Sequence, residues 1–536
     1  MKKLLVLLLF CVLLTSCSLF KEEEKTPMLL ASDTPEVVLL DKEGNEVRLY
    51  RGTEVLISEK EKKIDEVIYK KAYYGEDELY VLPDYLCTDM ADTVRETTVY
   101  PQYTTMLYQA ETGARIYRVL PTGSELEVIG FSGLYNGLVD RYKVRFNGEE
   151  GYVKNAEVST EKKEWPMPEV HKDREDQWGG GNAWDPEYPD LPKLKGPNTV
   201  MPAEVRALYL NRATPGYIDG YLELAEASDI NAVVIDIKES DGVGYESDVV
   251  REFSPTAYEH ALFDKQTYID AVKKCHDAGL YVVGRIVTFK DDPLVADHPE
   301  YALADKNTGN PMMIAGSYWP SPFVTEVKEY NVLLAIEAIE DIGFDEIQYD
   351  YVRFPDRIDS IADRIDFRNE DGLSKIQGIY NFLMYARSEI HERGAYLAAD
   401  VFGEASEAYV TAYGQYWPSI SGVVDVISAM PYPNHFSPHA YGISEVVWTV
   451  PGQLLDRWGQ DVVIRQSETI NPAKVRTWLQ CFDAMQEPET AYDVNKINEQ
   501  IDALYRNGLD DGYMTWNAPS NLTRYWNYVS AFRARK

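Results

Sequence analysis

The sequence predicts an α/β protein: a (β/α)8 TIM barrel over residues 201–536, preceded by small all-β modules. Three observations carry this reading. From residue 205 onward, short apolar runs alternate with helix-period stretches, the pattern of βα units around a parallel sheet. Before residue 160 the runs are short, two-residue periodic and punctuated by Gly-Asn and Asn-Gly turns. Polar and charged residues collect at one end of almost every predicted barrel strand, where such barrels keep their sites.

The N-terminus stands apart from the fold. Lys2-Lys3 precedes an apolar run over 4–14, and Leu14-Thr15-Ser16-Cys17 comes next. This is a short basic region, an apolar region and a small-residue cleavage site. Its ending resembles a bacterial lipobox, which implies lipidation of Cys17 and anchoring to the outer face of a bacterial membrane. The run is too short to span a bilayer comfortably. Residues 18–35 are polar, with Pro27 and Pro35, and read as a linker.

Residues 36–88 read as a small β module, with runs over 37–40, 46–50 and 53–57 and turns at Gly44-Asn45 and Gly52. Residues 95–157 form a second. Leu126-Glu127-Val128, Tyr142-Lys143-Val144-Arg145-Phe146, Asn147-Gly148 and Gly151-Tyr152-Val153 resemble the bacterial SH3 domain pattern. That resemblance implies a cell-wall or partner-binding module. The first module fits it weakly and reads as a degenerate copy; both serving as spacers is the competing reading. Residues 160–200 have no period and carry Trp165, Trp178, Trp184 and several Pro and Gly, an extended linker whose tryptophans pack on a neighbour.

The barrel strands are expected over 206–211, 232–238, 281–287, 343–355, 396–402, 424–430, 475–480 and 512–517. Helices are expected over 218–227, 268–278, 324–342, 376–393 and 494–507, four of them stopped by Gly279, Gly343, Gly394 and Gly508.

Composition excludes several functions. The formal charge of −35 opposes binding to nucleic acid or to anionic lipid surfaces. Five cysteines at wide spacing give neither a disulfide framework nor a zinc pattern, so no metal or other cofactor is expected and the remaining thiols read as buried. Apolar content of 45% allows a large core.

Chemistry collects at Gly343–Pro355, where Asp350 and Arg353 sit late in a predicted strand. A structural Asp350–Arg353 pair competes with a catalytic Asp350. The other strand ends supply Asn211, Asp236, Lys238, Glu239, Arg285, Asp400, Glu404, Tyr432, Gln480, Trp516 and Asn517. Several carboxylates, without a Ser–His pair or a phosphate loop, point to glycoside hydrolysis by two carboxyl groups. Asp350, held ionised by Arg353, would be nucleophile or base. Asp400, among apolar neighbours, would be the protonated partner, with Glu239 and Asp236 as alternatives. Tyr432, Trp319 and Trp516 would stack on sugars; Asn211, Gln480 and Asn517 would bond hydroxyls.

Residues 205–535 also resemble a glycoside hydrolase domain family of uncharacterised bacterial TIM-barrel proteins. The resemblance lies in 206–210, 234–238, 344–355, 399–403, 478–480 and 512–517, the run Asp350-Tyr351-Val352-Arg353-Phe354-Pro355 being most specific. It implies a glycosidase-like fold acting on a polysaccharide or cell-wall glycan, and it brings no defined substrate. A non-catalytic carbohydrate-binding or scaffold lipoprotein is the alternative.

Overall fold

The structure, a computed structural model, describes residues 23–164, 169–172, 174 and 179–535. The signal region, Cys17, Trp165 and Trp178 lie outside the described residues. The chain divides into two compact units, one holding most of the N-terminal β strands and the other the barrel together with residues 103–107 and 113–122.

The first sheet is antiparallel, ordered Glu46–Tyr50, Glu36–Leu40, Asp77–Val81, Val67–Tyr74, Glu54–Ile64, Lys25–Leu30, Leu86–Cys87. Leu30, Val37, Leu39, Val55, Ala72 and Val81 form its core. Lys25–Leu30 corrects the expected linker over 18–35: Leu29 pairs with both Glu54 and Cys87, so this run is an interior strand. Its polar start hid it. In the second sheet, Leu126–Tyr135, Leu138–Phe146 and Glu149–Lys154 form a meander. Both hairpins turn on Asn-Gly, with φ of 49° and 73° at Asn136-Gly137 and 51° and 86° at Asn147-Gly148. Positive φ at both central residues matches the right-handed twist of the flanking strands.

The barrel unit is a parallel sheet that nearly closes on itself. Its path runs Lys474–Val475, Val426–Met430, Tyr396–Phe402, Glu346–Asp350, Tyr281–Val287, Ala232–Glu239, Val205–Leu210, Gly512–Trp516, Thr477–Gln480. The two ends of the path are separated in sequence by Arg476 alone, whose N–H still donates to the Ile427 carbonyl at 3.1 Å. The expected strand over 475–480 is therefore interrupted. The expected strand over 343–355 shortens to Glu346–Asp350, because Tyr351 turns to φ 51° and leaves the ladder. The expected helix over 324–342 forms as Thr325–Glu337 plus a wider turn over Ala338–Ile342, stopped at Gly343 with φ 95°. The described part of the 160–200 segment packs on the barrel, Ala183 meeting Ile376, Val410 and Tyr416.

Side chains alternate across each strand. The strand Glu346–Asp350 turns apolar Ile347 and Tyr349 outward to the helices and polar Glu346, Gln348 and Asp350 into the barrel. The interior is thus layered. At the bottom, Arg476 donates to Glu346 at 2.7 Å, and the Tyr281 hydroxyl donates to the same carboxylate at 3.1 Å. In the middle, the Gln348 amide donates to the Ser428 hydroxyl at 3.0 Å. Apolar Val205, Ala207, Val234, Val283 and Met514 fill the rest.

The bottom pair has almost no solvent, so removing one partner strands a buried charge. Arg476→Met should lower unfolding stability by about 3–5 kcal/mol in chemical denaturation. Adding Glu346→Gln to it should restore a large part of that loss. A double variant no better than the single one would mean that the pair is not what holds this layer.

Candidate active site

At the C-terminal end of the barrel the interior layer is made of charge. Arg285 comes from the middle strand Tyr281–Val287, and register places it beside Asp236 on one neighbour and Gln348 on the other. Its Nη1 donates to Asp236 Oδ1 at 2.7 Å and to Glu239 Oε1 at 2.6 Å; its Nη2 donates to Asp350 Oδ2 at 2.5 Å. Asp400 Oδ2 lies 3.8 Å from Arg285 Nε, and neither atom has a hydrogen-bond partner among the described residues. The indole N–H of Trp478 donates to Asp400 Oδ1 at 2.8 Å, and the Tyr209 hydroxyl donates to Asp236 Oδ2 at 2.5 Å. The Arg285 guanidinium also sits 5.2 Å from the Trp516 ring centre, a cation–π distance.

The carboxyls differ in exposure. Asp400 has 0% of its surface open and Asp236 is equally sealed, whereas the side chains of Asp350 and Glu239 are 7% and 25% exposed. They differ in proton affinity too. Burial, then the neighbouring Asp350 charge, hold Asp400 well above the ordinary aspartate range. Burial also raises Asp236. For Glu239, burial pulls upward but the Arg285 guanidinium outweighs it, leaving the carboxyl below its usual value.

The structure brings together Asp236, Glu239, Arg285, Asp350, Asp400 and Trp516 from the sequence-predicted set. Tyr432 is buried in the same interior cluster. The others are spent elsewhere. Arg353 does not hold Asp350: beyond the strand end it turns away, 3.3 Å from Asp356 and over the rings of Trp319 and Phe402. Trp319 is itself buried behind it, donating to the Ile314 carbonyl at 2.9 Å. Lys238 leaves the site through a bulge between Asp236 and Lys238, which flips the strand's alternation. Its ammonium is buried outside the barrel, 2.6 Å from Asp291. The same bulge brings Glu239 inward to Arg285. Asn211 accepts from Ala213 N and Thr214 Oγ1 and stabilises its own turn. Gln480 accepts from Asn434 N and donates to the Phe482 carbonyl. Asn517 is buried and donates to the Asn521 carbonyl. The site residues that sequence reasoning missed are Tyr209 and Trp478. Both face inward by strand parity, and that parity was the available signal.

Asp400 gives a pH test. A carboxyl whose folded proton affinity exceeds its unfolded one adds stability that is fully present below about pH 4 and is lost as pH rises through the folded value. Asp400→Asn should therefore flatten the decline of unfolding free energy above that pH. Trp478→Phe leaves Asp400 Oδ1 without its donor and should cost about 1–3 kcal/mol. Denaturant melts across pH read both effects, and an Asp400→Asn profile parallel to wild type would contradict the assignment.

Comparison with known proteins identifies a family. A family model described as "Putative glycosyl hydrolase domain" matches residues 207–522, more than half of the 536-residue chain. Similar solved structures include a hypothetical protein from Ruminiclostridium thermocellum, 37% identical over 36% of this chain and 97% of that one, with a TM-score of 0.31. Another is the PgaB glycoside hydrolase domain from Bordetella bronchiseptica, 12% identical over 62% of this chain and 100% of that one, TM-score 0.44. A third is the spore cortex-lytic enzyme SleL from Bacillus megaterium, 10% identical over 62% and 74%, TM-score 0.37. None of the curated proteins matches the chain.

Proposed function

Since the chain belongs to the glycosyl hydrolase domain family whose model spans residues 207–522, we propose that its barrel hydrolyses O-glycosidic bonds in a polysaccharide. One observation carries this reading: a single guanidinium holds carboxyls of different proton affinity around the barrel mouth, Asp236 raised by burial and Glu239 lowered by the guanidinium itself. Glycoside hydrolysis needs one carboxyl ionised and another protonated on either side of the bond. Asp350, bonded by Arg285 and by the Tyr351 N–H at 2.6 Å, serves as the ionised group. It attacks the anomeric carbon or activates water to do so. Glu239, the most open of the four, would be the acid; held below its usual proton affinity by Arg285, it must take up a proton as substrate binds before it can give one to the leaving oxygen. A sugar covering it would remove its remaining water and strengthen the upward pull of burial on its proton affinity. Asp400 keeps its proton and, bonded by Trp478 and closed to solvent, does not touch sugar. In this reading residues 474–480 act as one stave interrupted at Arg476, completing a (β/α)8 barrel.

A specific observation favours a second reading, a non-catalytic carbohydrate binder: Arg285 already holds three carboxylates, and Asp400 is closed to solvent. Screening the protein for release of reducing ends from a glycan panel separates the two. With a responsive glycan, Asp350→Asn and Glu239→Gln should each lower kcat by about 10²–10⁴-fold while leaving binding largely intact. Binding without turnover by wild type selects the second reading, and full turnover by Asp350→Asn removes the first.

The lipobox supports an exported protein anchored to the outer face of a bacterial membrane through Cys17, with the β modules binding an envelope partner. Metabolic labelling with palmitate in a bacterial host should tag the wild-type chain and not Cys17→Ala. Equal labelling of both would exclude Cys17 as the anchor.

A further inference from the structure

Beside the charged centre lies a cavity of about 1040 Å³ that neither Asp350 nor Asp400 lines. It opens where the strands Tyr396–Phe402 and Val426–Met430 end, since Phe402 and Met430 form part of its wall. That volume is at the upper end of ordinary small-molecule sites and accommodates several linked sugar rings. Its wall has two features. Phe402, Phe436 and Tyr441 present aromatic faces, the surface on which sugar rings stack. Between them stand Glu404, Glu407 and Asp461.

This wall carries more acid than base. Among the described residues none of these three carboxyls has an ion-pair partner. Asp356, also in the wall, is already paired with Arg353. Of the basic groups in the wall, Arg357 is charged, whereas burial lowers His435 below its ordinary value, so it carries no charge near neutrality; Arg465, which does not line the cavity, also attracts Glu407 and Asp461, and the excess of acid is thus partly offset. Glu404 is fixed rather than free to swing: the Tyr409 hydroxyl donates to Oε1 at 2.6 Å and the Tyr413 hydroxyl to Oε2 at 2.8 Å. Glu407 and Asp461 are partly buried, and burial raises both. A cation entering here gains attraction at Glu407 and Asp461, which are partly withdrawn from water, and at the exposed Glu404.

We propose that this cavity receives a polysaccharide carrying free amino groups, its sugar faces on Phe436 and Tyr441 and its ammonium groups among Glu404, Glu407 and Asp461. Uronate- or phosphate-bearing glycans are repelled by the same wall. Any cleavage of the bound chain rests on the glycoside hydrolase reading; the proposal itself stands or falls on binding alone.

The test is calorimetric titration of the full chain with a glucosamine hexamer and with its fully N-acetylated counterpart, at low and at physiological salt. The free-amine hexamer should bind at least about tenfold tighter, with the preference shrinking as salt rises. Glu404→Gln combined with Glu407→Gln should bring the ratio near one, and Tyr441→Ala should weaken both hexamers. A thermal melt matching wild type shows that each variant is folded. Equal affinity for the two hexamers, binding of neither, or a preference unmoved by the Glu variants overturns the inference. Selective binding without cleavage by wild type leaves the inference intact and sinks the hydrolase reading; cleavage of another glycan with no selectivity here does the reverse.

Discussion

The barrel depends on how one buried guanidinium is neutralised. Arg285 is 2% exposed, and an uncompensated charge at that depth would cost several kcal/mol. Three carboxylates from two neighbouring strands offset it, each within 2.7 Å. This works only in one register. Asp236 and Arg285 are direct partners across parallel strands, and Asp350 ends the strand on the other side. A slip of one residue would turn Arg285 toward the helices and leave the carboxylates facing one another. The charge cluster therefore fixes the strand pairing as firmly as the apolar interior does.

The sequence made the strands legible because their outward faces are continuous apolar runs. It made the site half legible. Asp236, Arg285, Asp350 and Asp400 all sit at late strand positions, and strand-end placement alone groups them correctly. It failed where the backbone departs from a regular strand. Tyr351 ends its strand one residue after Asp350, so Arg353 swings away to Asp356 and the ring of Phe402. The bulge after Asp236 sends Lys238 to Asp291 and turns Glu239 inward. Neither a left-handed tyrosine nor a bulge has a residue signature at these positions, since no glycine or proline marks them. Asn211, Gln480 and Asn517 failed for another reason. Amides at strand ends meet unpaired backbone groups, and satisfying those comes before any ligand. Tyr209 and Trp478 were hidden because aromatics in strands are usually core, as these also are; their polar atoms do the additional bonding.

The layers of the interior separate stability from chemistry. Glu346–Arg476 at the bottom is a closed pair, with a hydroxyl and no open carboxyl, and it binds the strand Glu346–Asp350 to the interrupted segment at Arg476. Gln348–Ser428 is neutral. Only the top layer carries more acid than base, with Asp236, Glu239, Asp350 and Asp400 around one Arg285. Such an excess cannot stay fully ionised in a low dielectric. At least one member must keep a proton, and Asp400, without water and beside the Asp350 charge, is the cheapest place for it.

The same imbalance continues outward from the strand ends. Arg353, released from the barrel by the turn at Tyr351, neutralises Asp356 at the cavity wall and covers one face of Phe402. That leaves Glu404, Glu407 and Asp461 in the wall without an ion-pair partner among the described residues, with Arg357 as the wall's charged base. The tyrosines that fix Glu404 bond its oxygens without neutralising it. In a chain of net charge −35, acid on the surface is ordinary and screened by salt. Acid on the wall of an aromatic cavity at a barrel mouth is different, because desolvation raises both its cost and its attraction for a positive guest. The turn at Tyr351 thus separates two acids that share a strand end: Asp350 stays with Arg285 inside the barrel, while Arg353 goes out to Asp356 at the cavity wall.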